Sequence, residues 1–122
     1  MNPKIRVVVD FMKTNLHRQL TLDEIAESVG LSNSRVESLF KDESGNSPVQ
    51  YHKELRLEKA RELLESPSLN VKQVRLEVGY QDHSHFYRDF KKRFGLTPLQ
   101  YRERHINAMP DGDELIESII KK

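Results

Sequence analysis

The chain of 122 residues is 32% charged and 36% hydrophobic with a formal net charge of +1, proportions typical of one compact domain, or two very small lobes, with a large solvated surface. Because it contains no cysteine, disulfides, thiolate metal sites and cysteine nucleophiles are excluded. The longest apolar run near the N-terminus, Val7–Val9, is too short for an export signal or a membrane span, so we expect a cytoplasmic protein with no membrane partner.

Apolar residues at helical spacing predict four helices in the first half of the chain. The first follows the pair Asn2 and Pro3, in which asparagine can cap the helix and proline fits its first turn. Thr21 and Glu24 match a capping box, which predicts the start of a short second helix. The second and third helices occupy about residues 21–45. The fourth, at about residues 47–65, is long enough to form a rod of roughly 28 Å.

Three further helices are predicted in the second half. A short helix capped by Asn70 and a longer one capped by Asp82 together occupy about residues 70–95. A closing helix, which begins with a threonine and a proline, occupies about residues 97–105. The predicted fold is therefore all-α.

The last residues, 106–122, form a C-terminal extension. Four apolar residues follow a Pro-Asp-Gly turn at helical spacing: Leu115, Ile116, Ile119 and Ile120. This pattern predicts a short amphipathic helix, which either packs on the domain or contacts a partner. Packing is the favoured interpretation.

The chain contains an internal duplication. Residues of the first half recur 49 positions later as far as a glycine turn and 50 positions later after it, so the second turn holds one more residue. Matched glycine, proline and aromatic positions indicate a repeated supersecondary unit. The matched pairs include Leu22 and Val71, Ile25 and Val74, Gly30 and Gly79, Phe40 and Phe90, Gly45 and Gly95, and Pro48 and Pro98.

Each repeat has the pattern of a helix-turn-helix unit. A short capped helix, a glycine turn and a second helix with one apolar side follow one another, and the polar side of the second helix would face the DNA bases. The crossing point needs a small residue four positions before the turn glycine, which Ala26 supplies in the first unit. Arg75 stands at the matching position of the second unit, so its side chain must extend to solvent or alter the helix crossing.

The second repeat, "VGYQDHSHFYRDFKKRFGLTPLQYR" from Val78 to Arg102, and the stretch "TLDEIAESVGLS" of the first resemble the AraC/XylS family of bacterial transcription regulators. The resemblance implies a seven-helix domain at residues 1–105, with two helix-turn-helix subdomains joined by a long connecting helix. It also implies sequence-specific binding of double-stranded promoter DNA, with two recognition helices in successive major grooves. A role as an activator that contacts RNA polymerase follows from the resemblance alone.

The candidate base-reading residues lie on the polar sides of the two recognition helices. Arg88 is the strongest candidate, because arginine can contact guanine through two hydrogen bonds. Glu37 can accept a hydrogen bond from cytosine but repels phosphate, so we expect the first unit to read DNA more weakly. The full set is Asn33, Ser34, Arg35, Glu37 and Ser38 in the first unit and His83, Ser84, Tyr87 and Arg88 in the second.

Basic residues that follow the base-reading positions of each recognition helix are candidates for phosphate contacts. Residues 83–105 carry six basic and two acidic side chains, a local charge of +4. Such a patch is typical of a nucleic-acid surface, although a solvated helix face has the same composition. The candidates are Lys41, Lys91, Lys92 and Arg93.

No other chemistry is predicted. His83 and His85 are two residues apart and point about 200° apart on a helix, so they cannot easily share a metal ion. The adjacent residues Asp82, His83 and Ser84 do not form a triad, whose members converge in space. We therefore expect no enzyme activity and no cofactor, and a monomer for this isolated domain. The alternative function is a helical protein-interaction module that docks a partner without reading DNA.

Overall fold

The computed structural model describes residues 1–108, which form seven α-helices and contain no strand. The predicted all-α class is confirmed. Residues 109–122, and with them the predicted amphipathic helix, lie outside the described residues. In the described part, no helix is long and apolar enough to span a membrane. The helices are α1 Pro3–Lys13, α2 Leu22–Glu27, α3 Asn33–Ser44, α4 Pro48–Leu64, α5 Val71–Glu77, α6 His83–Phe94 and α7 Pro98–Ala108.

Capping residues account for where the helices begin. The side chain of Asn2 accepts a hydrogen bond from the first turn of α1, and Pro3 occupies that turn. Thr21 and Glu24 form the predicted capping box of α2. Asn70 forms a second capping box, with a glutamine, at the start of α5. Each of these contacts satisfies backbone N–H groups that have no partner within the helix.

Two small hydrophobic cores lie along α4. The first packs α1, α2 and α3 around Met12 and Phe40, and the second packs α5, α6 and α7 around Phe86 and Phe90. Helix α4 contacts each of the other six helices and contributes to both cores. Its 17 residues make a rod of about 26 Å. The two helix-turn-helix units are therefore held in one body by a shared helix.

Two polar side chains of α4 are buried between the units. His52, 1% exposed, places its Nε2 atom 2.9 Å from the carbonyl oxygen of Asn15 in the α1–α2 connection. Arg56, 4% exposed, donates hydrogen bonds from Nε and Nη2 to the carbonyl oxygens of Val78 and Gly79, at 2.8 and 2.9 Å. The middle of α4 is thus bonded to the first unit on one side and to the turn of the second unit on the other.

The two turns share their last backbone hydrogen bond despite their different crossing residues. Leu31 N donates to the Ala26 carbonyl at 3.1 Å, and Tyr80 N donates to the Arg75 carbonyl at 3.1 Å. The side chain of Arg75 is half buried and donates to the carbonyl of Tyr80 at 2.7 Å. Its guanidinium therefore stabilises the turn rather than disrupting the helix crossing.

Candidate nucleic-acid interface

Helices α3 and α6 present matching faces. Each has a side-chain cap, Ser32 or Asp82, and each buries an apolar side. The added residue of the second turn is confirmed, since α3 begins three residues after Gly30 and α6 begins four residues after Gly79. The opposite side of each helix is exposed and polar, which is the arrangement that reading base edges requires.

Arg88 is an exposed candidate on α6 that forms an ion pair with its neighbour Asp89. Its side chain is 69% exposed, and its Nε atom lies 3.7 Å from Oδ1 of Asp89. Because an ion pair this exposed contributes little stability, the guanidinium can adjust its position to contact a base at small cost.

His83 and Tyr87 form a stacked pair at the start of α6. Their ring centroids are 4.0 Å apart with an interplanar angle of 30°. Tyr87 is half buried, with its ring edge-on to Phe86, whereas His83 and Ser84 are exposed. The stack restricts the His83 ring and identifies Tyr87 as its support as well as a candidate base contact.

His85 is a surface residue whose sequence spacing from His83 argued only against a shared metal ion. Its side chain is 59% exposed, and its backbone N–H donates to Asp82 at 2.9 Å. This hydrogen bond is the main reason that the pKa of Asp82 lies below its usual value. His85 and Arg88 line a polar cleft of about 310 Å³. The position of His85 in the first turn of α6, three residues before Arg88, is the sequence feature that could have marked it as a further candidate for DNA contact.

The candidates on α3 are all exposed. The side chain of Asn33 already has a partner within the protein, because its Nδ2 donates a hydrogen bond to Oδ1 of Asp23 on α2 at 2.7 Å. Ser34, Glu37 and Ser38 lie on the solvent-facing side of the helix, as does Arg35. The first unit therefore offers a less basic face than α6.

The phosphate candidates differ in their surroundings. Lys41 and Lys91 are exposed, and Lys92 lies beside a groove between α4 and α6. Arg93 contacts the scaffold, with Nη2 3.5 Å from Oε1 of Glu58 and its guanidinium 5.3 Å from the Phe94 ring centroid. Part of the basic patch is therefore engaged in structural contacts.

The polar cleft joins both units and α4. Gln19 from the α1–α2 connection, Lys53 of α4 and Arg88 of α6 all line it. Among residues 1–108, no group of three or more potential ligand side chains is placed to hold a metal ion. Cationic and hydrogen-bonding side chains share the cleft with the carboxylates of Asp82 and Asp89, a mixed lining that suits hydrogen bonds with base edges.

Comparisons with known proteins agree with this geometry. A family described as a helix-turn-helix domain matches residues 9–104. The transcriptional regulator ArgR of Pseudomonas aeruginosa is 36% identical over 103 residues, which cover 84% of this chain and 31% of the regulator. A lactose operon transcription activator of Staphylococcus xylosus is 33% identical over 102 residues, 84% of this chain and 37% of the activator. The chain thus spans about a third of the length of these relatives.

A solved structure covers nearly the same extent as this chain. It is a transcriptional regulator from Chromobacterium violaceum, described among AraC-type DNA-binding domain-containing proteins. It superposes with a TM-score of 0.81 and 36% identity, over 88% of this chain and 95% of the other.

Proposed function

This chain belongs to the AraC-type helix-turn-helix family, and from that premise we propose that residues 1–105 are the sequence-specific DNA-binding domain of a bacterial transcription regulator. The observation that carries the proposal is that α4 holds two helix-turn-helix units, each with an exposed polar helix face, in one body. The rod of about 26 Å formed by α4 carries one unit at each core, and successive major-groove faces are roughly 34 Å apart. Helices α3 and α6 then enter successive major grooves of one duplex.

The second unit is the stronger reader. Arg88 contacts guanine, and His83 and Ser84 contact neighbouring base edges with Tyr87 supporting the His83 ring. On α3 the reading set is Asn33, Ser34, Arg35, Glu37 and Ser38, with Glu37 favouring cytosine. Its carboxylate repels phosphate, so α3 adds less affinity than α6.

Phosphate contacts fix the register of the domain on DNA without reading sequence. We place Lys41 and Lys91 first, because both are exposed at the C-terminal part of a recognition helix. Lys92 follows, and Arg93 comes last because Glu58 holds its guanidinium.

The wider role is that of a promoter-bound activator. The name of the Staphylococcus xylosus relative, a transcription activator, supports this direction of control. We further propose that the DNA-bound domain contacts RNA polymerase, that the isolated domain is a monomer, and that it acts in the cytoplasm, where bacterial DNA lies.

Selection of binding sites from random duplexes, followed by titration against salt, tests the function. A DNA-binding domain with several phosphate contacts loses affinity steeply as salt rises, with a slope of about −0.9 per contact. Equal affinity for every duplex, or a flat salt response, would contradict the proposal and favour the protein-interaction module.

Two variants separate reading from positioning. Arg88→Ala should relax preference at one base pair, at a cost of about 1–3 kcal/mol for the preferred site, whereas Lys91→Ala should weaken all duplexes alike and reduce the salt slope by about 1. Lys59→Ala is the matched control. This exposed lysine lies on α4 rather than on a recognition helix, and it is about 120° around α4 from Lys53, which lines the cleft. Unchanged site preference in Arg88→Ala would show that Arg88 does not read a base.

A further inference from the structure

The carboxylate of Asp89 is held in place by groups from two other parts of the fold. The hydroxyl of Tyr80 donates a hydrogen bond to Oδ2 at 3.0 Å, and Nζ of Lys53 lies 3.4 Å from the same oxygen. The Asp89 side chain is 14% exposed. Burial and the carboxylate raise the pKa of Tyr80, so its hydroxyl stays protonated and remains a donor. The orientation of the carboxylate is therefore fixed by the scaffold.

The second oxygen of Asp89 points to the candidate base reader. Oδ1 lies 3.7 Å from Nε of Arg88, whose side chain is 69% exposed. The nitrogen of this ion pair is Nε, so the two terminal nitrogens of the guanidinium are not part of the pair. Those nitrogens are a donor pair that can meet the two acceptors of guanine. One oxygen thus contacts the scaffold, and the other contacts Arg88.

Tyr80 is itself supported from α4. It is 7% exposed, its ring lies 5.3 Å from that of Phe86, and the Arg56 guanidinium lies 4.5 Å from its ring centroid. Arg56 itself donates hydrogen bonds to the carbonyl oxygens of Val78 and Gly79 in the second turn. A continuous series of contacts therefore runs from Arg56 through Tyr80 and Asp89 to Arg88.

We propose that Asp89 is a positioning residue for Arg88, which orients the guanidinium before DNA binds and so determines the base specificity of α6. The inference rests on the proposed function. A carboxylate on a DNA-binding helix repels phosphate and lowers affinity for every duplex. Its benefit lies in discrimination, because a flexible arginine that is already oriented loses less side-chain entropy when it meets the correct base.

Asp89→Asn tests the proposal, because the amide oxygen can still accept from Tyr80 while the negative charge is lost. Affinity is measured for the selected site and for the four base pairs at the position where Arg88→Ala loses preference. We expect discrimination to fall by about two- to tenfold, the equivalent of ordering one flexible side chain. Affinity for a non-specific duplex should stay equal or rise. Asp42→Asn, which removes an exposed acid from α3, is the control and should keep discrimination.

A double-mutant cycle distinguishes positioning from a structural role. In the Arg88→Ala background, Asp89→Asn should leave discrimination unchanged, because its effect passes through Arg88. Tyr80→Phe, which keeps the ring beside Arg56 but removes the hydrogen bond to the carboxylate, should reduce discrimination in the same direction. Equal loss of affinity for all duplexes together with a lower Tm, or the same loss in both backgrounds, would overturn the inference.

The same measurements also distinguish failure of this inference from failure of the proposed function. If the wild-type protein shows no base preference, the proposed function fails and the inference fails with it. If the wild type and Arg88→Ala differ while Asp89→Asn behaves as the wild type does, the proposed function stands and only the positioning role of Asp89 is overturned.

Discussion

Alanine substitutions at the two turn glycines should lower the free energy of unfolding by very different amounts. Gly30 and Gly79 have positive φ angles of 65° and 77°, so both occupy the left-handed region. A Cβ atom on Gly30 would have no atom within 4 Å. A Cβ on Gly79 would lie 2.7 Å from Cα and N of Arg18 and 2.8 Å from the carbonyl carbon of His17. These are backbone atoms of the other unit, which cannot rotate away as a side-chain tip can.

The size of the difference follows from these contacts. Placing a residue with a Cβ atom in the left-handed region destabilises the folded state by about 1–2 kcal/mol. Alanine also makes the unfolded chain less flexible than glycine does, which offsets about 0.4–1 kcal/mol of this loss. Gly30→Ala should therefore lower the free energy of unfolding by about 1 kcal/mol. Gly79→Ala has the same backbone cost, and the overpacked contact adds about 1–3 kcal/mol. We expect a total loss of about 2–4 kcal/mol for Gly79→Ala.

Thermal and urea unfolding followed by circular dichroism measure both variants. At about 5 °C per kcal/mol, a value between the ranges for smaller and larger domains, Gly30→Ala should lower Tm by about 5 °C and Gly79→Ala by about 10–20 °C. Equal losses in the two variants, within about 0.5 kcal/mol, would refute the reasoning. They would show that the α1–α2 connection does not pack on the second turn.

Three further results are expected. Arg56→Met should lower the free energy of unfolding by about 3 kcal/mol in urea, since two charge-assisted hydrogen bonds to buried carbonyls are lost; a loss below about 1 kcal/mol would argue against them. Burial lowers the pKa of His52 to about 4 from 6.5, so the unfolded chain binds more protons between these values, and stability present above pH 6.5 is lost as pH falls. This loss should approach about 3 kcal/mol at pH 4 and be absent in His52→Gln; parallel pH profiles would contradict it. Arg93→Ala should weaken DNA binding less than Lys91→Ala in the same titrations, because Glu58 already holds Arg93, and the reverse order would be evidence against that ranking.

Much of the fold could be predicted from the sequence because its signals are local. Caps such as Thr21 with Glu24, turn glycines and apolar residues at helical spacing each specify structure within a few residues. The internal repeat then predicted that two such units exist. Helix ends were less well placed, since α7 continues to Ala108 rather than ending near residue 105.

The buried polar contacts could not be predicted in the same way. His52 and Arg56 are hydrophilic residues on a largely charged helix, and only the tertiary fold shows that carbonyls from distant segments need their hydrogen bonds. The site residues could be assigned to helix faces from periodicity. Their partners could not, because the Tyr80 contact with Asp89 depends on how the turn meets α6.

The shared helix also limits how this protein can diverge. Because α4 carries buried residues for both cores, one residue inserted at its middle would turn one unit by about 100° and shift it by about 1.5 Å relative to the other. Such an insertion would separate His52 or Arg56 from its carbonyl partners and would move the recognition helices out of phase with the DNA repeat. The length of α4 is therefore a fixed measure of the spacing between the two recognition helices. New DNA targets must therefore evolve by substitution on the surfaces of α3 and α6.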